Sequence, residues 1–597
     1  MNTHEFLKRN VILAGALIIT GALLLFGRAS ASEAPQEVKV NSLSGDLWFK
    51  VADIAAAAPV FERAYHSQSP QSGMFGLGWA STYENHFELT PEGNLLVYEY
   101  ALEKPELLLR EDFSAQELED MVARILDSLP AQADSGADRE QLRNRLLFDP
   151  QQRILLAKKA GIHFRDDAPE EHVWTSPFCG HHTIKLENNV WIKKHHSLEE
   201  QYRFDNKELQ GYVVKISRDE QTWDIMRNEK NAVTNVTGPD GVRLEFSLNK
   251  DGTVESIKAS DNQTIRFQYR RAVLKEQGKT ALLASISSNN RVTARYGYTP
   301  GARPALSTIS QGKKKILCIY DGDEHRAIKI TLPDGHSTAY EYWSDAENPE
   351  THRGVEMHIV SADKRQSQKK ISYWLKRRPE GITYFDKMEE KSAGSTVTTV
   401  YCEYPLQRPR GIIVNDKVTT FTYTPEGQLA SKKSPDGTLK VLQYDLRHWK
   451  VSFVTFIYPS GIRPRVIEYN YDESGNLVKA IDHNNTMLTL TYDRHNLITS
   501  IAENNGPPIT FVYDEKNKLR RLAVSNNGGI DVVYDLKGNI ADVKIQGDYA
   551  VSYQIQRSCD MLMKLASLAD IPLTATEGKA KKDYLEEEQD HVPSFGI

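Results

Sequence analysis

The stretch YDESGNL at residues 471–477 decides the fold, because close variants of it recur at a fixed spacing. YDEKNKL at 513–519 and YDLKGNI at 534–540 repeat its pattern, and a further Tyr-Asp pair stands at 492–493. Successive tyrosines of this set are 21, 21 and 21 residues apart. A constant period of this length predicts a repeat architecture in which each unit is one small supersecondary element.

Each unit has the pattern of a β-hairpin. The tyrosine ends a strand, the aspartate is expected to bond the backbone two residues on, and glycine or asparagine supplies a positive φ. An aliphatic residue six places after the tyrosine opens the return strand. A second turn signature, Pro-Asp-Gly, occurs at 239–241, 333–335 and 435–437. Alternating strands between turns about ten residues apart predict an antiparallel meander.

Aromatic residues keep a similar spacing upstream. Phe246 and Phe267 are 21 residues apart, and intervals of 22 lead from Tyr298 through two further tyrosines. The array is expected from about residue 183 to 545, with weaker units between 349 and 400. Stacking is required because one hairpin buries too little surface to be stable alone. The residues that we assign as repeat-defining are Tyr320, Tyr342, Tyr423, Tyr444, Tyr471, Asp472, Tyr492, Asp493, Tyr513, Asp514, Tyr534 and Asp535.

A helical insertion near 112–161 interrupts the strand pattern. The sequence SAQE at 114–117 is a capping box, and apolar residues from Met121 to Leu129 mark one helix face. A second helix is predicted over 138–148, and Asp149-Pro150 marks a break before another helical stretch. After the array, a short helix is predicted over 561–569. The charged tail beyond it has the composition of a disordered segment.

The N-terminus has the layout of an export signal. Basic residues at 8–9 precede an uncharged apolar run at 11–27, and Ala-Ser-Ala follows at 29–31. We expect cleavage of residues 1–31, with a retained membrane anchor over 11–27 as the alternative. In both cases the body of the protein is expected outside the cytoplasm, as a periplasmic, cell-surface or secreted protein. No second membrane span is expected.

The charge and the composition exclude some function classes. The chain of 597 residues carries a formal net charge of −6. Proteins that bind nucleic-acid phosphates normally have a positively charged surface. Nucleic acid is therefore not an expected partner. The four cysteines have no CxxC spacing, which gives no preferred disulfide pairing. No motif for a cofactor or for a known hydrolase is present, so no cofactor is expected.

The chain resembles the RHS/YD-repeat proteins, bacterial relatives of the teneurin YD shell. The Tyr-Asp repeats carry part of the resemblance, and the segment before them carries the rest. That segment is similar to the N-terminal domain that precedes RHS repeats in secreted polymorphic toxins. The residues that match its motif are Arg63, Tyr65, Ser67, Ser69, Pro70, Gly73, Gly76, Gly78 and Trp79.

The resemblance implies a mainly β fold in which tandem antiparallel hairpins wind into a partial or complete shell. Such shells enclose a C-terminal polypeptide, often a toxin. Here the Asp-Pro pair at 149–150 lies far from the C-terminus, so no C-terminal self-cleavage motif is expected. After the last Tyr-Asp unit about 50 residues remain, too few for an ordinary catalytic domain, so no C-terminal toxin is expected. The expected parts are a signal or anchor (1–31), an RHS-type N-terminal domain (40–105), the helical insertion (106–165), the repeat array (166–548), and a short helix with a charged tail (549–597).

One group of residues could bind a metal. Cys179, His181, His182, His195 and His196 lie close together in the sequence and are the weak candidates for such a site. Adjacent histidines on a strand point to opposite faces, so each pair supplies at most one ligand per side. We therefore expect structural or surface histidines, with metal ligation as the alternative.

The repeated acids and aromatics allow two further interpretations. One aspartate per unit at a fixed turn position indicates turn formation rather than paired acids for glycoside hydrolysis. The tyrosines could stack sugars on the surface, but inward packing is the plainer account. The sequence thus favours an exported, non-catalytic shell or scaffold that binds or encloses a polypeptide. A cell-surface carbohydrate-binding or adhesion protein is the alternative, and a hydrolase is less favoured.

Overall fold

The structure is a computed structural model. It describes residues 38–54, 61–69, 71–100, 102–129, 136–165, 172–178, 182–195, 198–218, 221–260, 263–274, 278–288, 291–301, 303–322, 324–494, 496–514, 518–524, 528–534, 540–547 and 549–569. The predicted export signal and the charged tail lie outside these residues. The described chain forms two compact units, residues 38–418 with 425–427 and residues 419–424 with 428–569.

The first unit begins with a small antiparallel sheet. Its strands are β1 (Lys39–Val40), β2 (Leu47–Ile54), β3 (Phe61–His66), β4 (Ser72–Gly73), β5 (Gly76–Leu77) and β6 (Trp79–Ser81), followed by a 3-10 turn at Thr82–Glu84. Strands β1, β2, β3 and β6 pair in that order, and β4 pairs with β5 as a separate hairpin.

The next eight strands close on themselves as a ring. They are β7 (His86–Leu89), β8 (Leu95–Tyr98), β9 (Glu106–Arg110), β10 (Val173–Thr175), β11 (Thr183–Glu187), β12 (Val190–His195), β13 (Leu198–Asp205) and β14 (Gln210–Arg218). Each strand pairs antiparallel with the next, and β14 returns to pair with β7. Closure removes the exposed edges that a sheet would otherwise present to solvent.

Three helices interrupt the ring between β9 and β10. They are α1 (Ala115–Ser128), α2 (Gly136–Phe148) and α3 (Pro150–Ala160). The predicted capping box forms, since the Ser114 side chain accepts from the backbone of Glu117. Asp149 caps α3, and Gly161 ends it with φ 64°. The helical insertion is thus where the sequence predicts it, although residues 106–110 form a ring strand instead of helix.

Strand β14 joins the ring to a long meander. Residues 210–212 pair with β7, whereas residues 215–218 pair with β15. The strands that continue the first unit are β15 (Gln221–Arg227), β16 (Val233–Thr237), β17 (Arg243–Leu248), β18 (Val254–Ala259), β19 (Thr264–Leu274), β20 (Gly278–Ser288), β21 (Arg291–Tyr298), β22 (Leu306–Gln311), β23 (Lys314–Tyr320), β24 (Ala327–Thr331), β25 (Ser337–Ser344), β26 (His352–Val360), β27 (Gln366–Arg377), β28 (Thr383–Ser392), β29 (Ser395–Tyr401) and β30 (Pro409–Val414).

The second unit is a meander with one long helix. Its elements are β31 (Lys417–Tyr423), which begins just before the unit, β32 (Leu429–Lys433), β33 (Leu439–Asp445), β34 (Lys450–Ile457), β35 (Arg465–Tyr471), β36 (Leu477–Ile481), β37 (Met487–Tyr492), β38 (Ile498–Glu503), β39 (Ile509–Tyr513), β40 (Leu519–Val524), β41 (Gly529–Tyr534), β42 (Ile540–Gln546) and α4 (Tyr549–Ala569). The mainly antiparallel β fold predicted from the sequence is confirmed. Helix α4 begins twelve residues before the predicted start at 561, because Val551 and Ile555 extend its buried face.

Among the described residues, no helix combines the length and the apolar character that a membrane crossing requires.

Candidate functional site

The repeat tyrosines connect neighbouring units through their hydroxyl groups. The Tyr492 hydroxyl donates to the carbonyl oxygen of Leu477 at 2.9 Å, and Tyr513 donates to Ile498 at 2.8 Å. In both pairs the acceptor is the aliphatic residue that opens the return strand of the preceding unit. The same type of bond joins Tyr320 to Leu306, Tyr342 to Ala327, Tyr444 to Leu429, Tyr471 to Val451 and Tyr534 to Leu519.

Register shifts mark these positions. In β37 the pairing with β38 slips between Thr491 and Tyr492, and equivalent slips occur at Tyr320, Tyr423, Tyr444, Tyr471, Tyr513 and Tyr534. A bulge of this kind re-aims the side chain that it carries. Burial raises the pKa of Tyr492 and of Tyr513, so both hydroxyls remain protonated donors near neutral pH.

The ring faces of these tyrosines pack inward. Tyr444, Tyr471, Tyr492 and Tyr513 lie against the apolar cluster of the second unit, which includes Leu490. Their contacts support the inward-packing interpretation over a surface ladder for sugars, which requires exposed ring faces. A surface glycan remains a prediction.

The repeated aspartates form turns. Asp472 Oδ1 accepts from the backbone of Asn476 at 2.8 Å, and Asp493 and Asp514 accept in the same way from the residue four positions on. The sequence predicts a bond two residues on. The observed bond reaches four residues on instead, across a turn whose fourth residue after the tyrosine has positive φ, Gly475 (φ 78°) after Tyr471 and Asn496 (φ 59°) after Tyr492. Asp535 lies outside the described residues.

The N-terminal motif builds a buried aromatic layer within the first unit. Arg63 pairs with Asp53 at 2.5 Å and lies 4.5 Å from the centre of the Trp79 ring. Trp79 Nε1 donates to the Tyr298 hydroxyl at 3.2 Å, and the backbone N–H of Leu306 donates to the Tyr65 hydroxyl at 3.0 Å. The motif therefore covers the face of the meander that carries the periodic aromatics.

Two motif glycines permit this close approach. A Cβ on Gly76 would lie 2.5 Å from the carbonyl oxygen of Ala281, and one on Gly78 would lie 2.7 Å from that of His66. Both glycines also have positive φ, of 89° and 76°.

The remaining described motif residues contact nearby residues of the N-terminal segment. Ser67 donates to Asp46 at 3.1 Å, the Ser69 hydroxyl accepts from Gln71, and Gly73 lies against Glu84. Pro70 lies outside the described residues.

Helix α4 covers the corresponding face of the second unit. Its buried residues Ile555, Leu562 and Leu565 belong to one apolar cluster with strands from β33 to β41. The Tyr469 hydroxyl donates to the carbonyl oxygen of Leu565 at 2.8 Å, and Lys440 Nζ donates to that of Leu568 at 2.7 Å. The Lys440 bond satisfies a carbonyl group that the last turn of a helix leaves unpaired, and the ammonium complements the helix dipole.

One end of the ring carries a cluster of ionisable side chains. Glu99 follows β8, Glu106 begins β9, His182 precedes β11, and Lys193 and His195 lie on β12. We call these five residues the polar cluster. They meet because the end of β8 adjoins the start of β9, and the start of β11 adjoins the end of β12.

Contacts within the polar cluster are close. His182 Nδ1 lies 2.8 Å from Glu106, the rings of His182 and His195 are 4.1 Å apart, and Lys193 Nζ contacts Glu99. Burial tends to raise the pKa of Glu106. The charge of His182 and the hydrogen bonds from His182 and Ser176 outweigh this effect, so the pKa is lowered. Burial lowers the pKa of Lys193, and the charge of Glu200 opposes that shift.

The structure brings together two of the five metal candidates. His182 and His195 are in contact, whereas Cys179, His181 and His196 lie outside the described residues. The sequence did not indicate Glu99, Glu106 or Lys193. The two carboxylates precede the helical insertion and are therefore distant in the chain from His182, which they approach through the pairing of β9, β10 and β11. One ligand atom each from Glu99, Glu106 and His182 lies within 4.8 Å of the other two.

Two families match parts of the chain. The family described as Teneurin YD-shell matches residues 450–576, and a domain of unknown function, DUF6531, matches residues 38–101. No curated protein sequence matches the chain.

Solved toxin assemblies are also similar in structure. The TcdB2-TccC3 structure is 10% identical, with 62% of this chain and 24% of that chain covered and a TM-score of 0.33. The TcdB2-TccC3-Cdc42 structure is 9% identical, with 89% and 35% covered and a TM-score of 0.34. A Tc holotoxin pore from Photorhabdus luminescens is 10% identical, with 84% and 36% covered and a TM-score of 0.22. The chain thus spans between 24% and 36% of the length of these structures.

Proposed function

Because the chain belongs to the RHS/YD-repeat proteins, we propose that it is an exported, non-catalytic shell or scaffold whose tyrosine-bearing sheet face binds a polypeptide partner. The observation that carries this proposal is that a polypeptide segment packs on that face in each unit. In the first unit the N-terminal motif covers it, and in the second unit helix α4 covers it. In each unit the apolar face of the meander is thus in contact with a polypeptide segment.

The second unit indicates what kind of polypeptide such a face accepts. Buried residues of α4 recur at positions 551, 555, 559, 562, 566 and 569, which is the spacing of one helix face. Polar strand side chains bind the C-terminal end of the segment, as Tyr469 and Lys440 do near the end of α4. We infer that a partner presents an amphipathic helix with a similar apolar stripe.

The repeat aspartates support a role without catalysis. A carboxylate whose oxygens accept backbone N–H bonds inside a turn is held by the turn, as Asp493 is by Leu497. The export signal predicted over residues 1–31 supports a location outside the cytoplasm.

The test separates α4 from the sheet while keeping the whole chain. A specific protease site is inserted between Gly547 and Tyr549, and the folded protein is cut there. We expect the fragment that begins at Tyr549 to remain bound during gel filtration, and an excess of peptide 549–569 to exchange with it. Immediate loss of the fragment under native conditions would contradict the proposal.

Two substitutions to the same residue provide the matched comparison. Leu562 is buried in the cluster, whereas Lys564 is exposed on the same helix. Leu562→Glu should release the cut fragment because it buries an unpaired charge. Lys564→Glu should leave the fragment bound.

A further inference from the structure

We propose that the polar cluster binds one divalent transition-metal ion of the zinc type, with Glu99, Glu106 and His182 as ligands and Lys193 as a competing internal cation. The first support is convergence. These three side chains come from three separate segments of the ring, yet one ligand atom from each lies within 4.8 Å of the others. Two ligands of one zinc ion, each about 2.1 Å from it, can be at most about 4.2 Å apart. In a tetrahedral site this separation is about 3.4 Å, so the three side chains must draw closer when the ion binds.

The second support is the donor set. Two carboxylates and an imidazole match the mixed nitrogen and oxygen ligands of zinc sites that have three protein ligands. The fourth position falls to His195, whose ring already contacts that of His182, or to water. Ser176 donates to Glu106 at 2.5 Å, which orients this carboxylate as outer hydrogen bonds orient metal ligands.

The third support is the charge balance. Glu99 and Glu106 carry two negative charges, and the Lys193 ammonium supplies one positive charge when both histidines are neutral. The Lys193 side chain is only 3% exposed and ends on Glu99, so it occupies the place that a bound cation would take. A divalent ion balances both carboxylates, whereas one ammonium does not. Lys193 and the metal ion must therefore compete for Glu99.

This competition gives two substitutions opposite expected effects. Lys193→Met removes the internal cation and keeps the length of the side chain, so Zn²⁺ should bind more tightly. Glu106→Gln and His182→Ala remove ligands, so the affinity should fall by at least about tenfold, the lower limit for loss of an orienting group. Two matched controls should leave the affinity unchanged. Lys194→Met alters the exposed neighbour of Lys193, and His336→Ala alters an exposed histidine that pairs with Asp334.

The experiment is titration of the untagged, metal-free full-length chain with ZnCl₂ in a calorimeter, with CaCl₂ as a second probe. We expect one zinc ion per chain at this site and no comparable calcium binding, because Ca²⁺ requires six or more oxygen ligands. Co²⁺ absorption provides an independent measure of the site, and its spectrum should change in His182→Ala if that residue is a ligand. Absence of saturable zinc binding in both the natural chain and Lys193→Met overturns the proposal.

Two further outcomes also overturn the proposal. One is zinc binding that Glu106→Gln and His182→Ala leave unchanged, which places the ion elsewhere. The other is a Lys193→Met variant that binds zinc no more tightly than the natural chain. Unfolded chains also bind metals through cysteine and histidine, so tighter binding in that variant counts only at one zinc ion per chain and with an unchanged circular dichroism spectrum. Under those conditions the test stays decisive even if the ligand variants fold poorly.

Discussion

The hydroxyl of Tyr492 donates to the carbonyl oxygen of Leu477, which lies fifteen residues earlier, across the boundary between two repeats. Tyr513 has the same relationship to Ile498, again fifteen residues earlier. The period of the sequence is therefore also a period of hydrogen bonds. Each repeat is joined to the preceding one by a side chain as well as by the strand ladder.

Removing one such hydroxyl should destabilise the second unit slightly. Tyr492→Phe keeps the packed ring and loses the bond to Leu477, so the free energy of unfolding should fall by about 1 kcal/mol. Urea unfolding followed by circular dichroism measures the difference. Tyr553→Phe is the control, since that ring is 53% exposed. Equal losses in the two variants would contradict a specific role for the Tyr492 hydroxyl.

Alkaline pH should weaken the fold through the same tyrosines. Burial raises the pKa of Tyr492 and Tyr513, whereas tyrosines of the unfolded chain ionise at about pH 10. Below that pH both states are protonated, and their contribution to stability is constant. Above it the unfolded state loses protons first, so the free energy of unfolding falls as the pH rises.

Urea unfolding at stepped pH measures this effect. The loss of stability above about pH 10 should be smaller in the double variant Tyr492→Phe/Tyr513→Phe than in the natural chain. Identical slopes in the two proteins would show that other groups cause the loss.

A methyl group on Gly211 should disrupt the ring. Its Cβ would lie 2.1 Å from the ring of Phe87, which is fully buried on the neighbouring strand. Gly211→Ala should lower the free energy of unfolding by about 1–3 kcal/mol, the usual cost of overpacking. Gly322→Ala is the control, because no atom lies within 4 Å of its added Cβ. Thermal unfolding of both variants, and partial rescue of Gly211→Ala by Phe87→Leu, check the cause.

The helical insertion should depend on one buried ion pair. Arg153 and Glu92 are 2.7 Å apart, and each side chain is 1% exposed. Arg153→Ala leaves Glu92 without its buried partner and should cost about 3–5 kcal/mol. Loss of the exposed pair between Arg139 and Asp127 should cost less than about 1 kcal/mol. Hydrogen exchange should show faster opening of α3 in Arg153→Ala and not in Arg139→Ala.

The local parts of this fold could be predicted from the sequence. Strand alternation, the turn at Gly475 and the capping box at Ser114 each depend on residues close together in the chain. The Tyr-Asp period therefore located the hairpins. The start of α4 was missed because the helix interior from Tyr549 includes β-branched residues, and its helical state depends on burial of Ile555 against the sheet.

The polar cluster could be predicted only in part. His182 and His195 were candidates because they are close in the sequence, but the carboxylates that meet them come from the strands before the helical insertion. Glu106 begins an apolar stretch, ELLLR, that borders the insertion and carries no signal of pairing with β8. Which distant strands pair depends on the whole sheet, so the pattern of one short segment does not predict that pairing.

The pairing of β14 with β7 constrains the order in which the chain can fold. His86 lies opposite Tyr212, a separation of 212 − 86 = 126 residues, whereas each later strand of the meander pairs with the strand made just before it. Bringing distant segments together costs chain entropy before any contact compensates for it, so such closures form slowly. Residues 86–89 therefore cannot complete their pairing until a segment more than a hundred residues later is available. Ring closure is then expected to be the slow step of folding, whereas each later hairpin can add to the strand just before it.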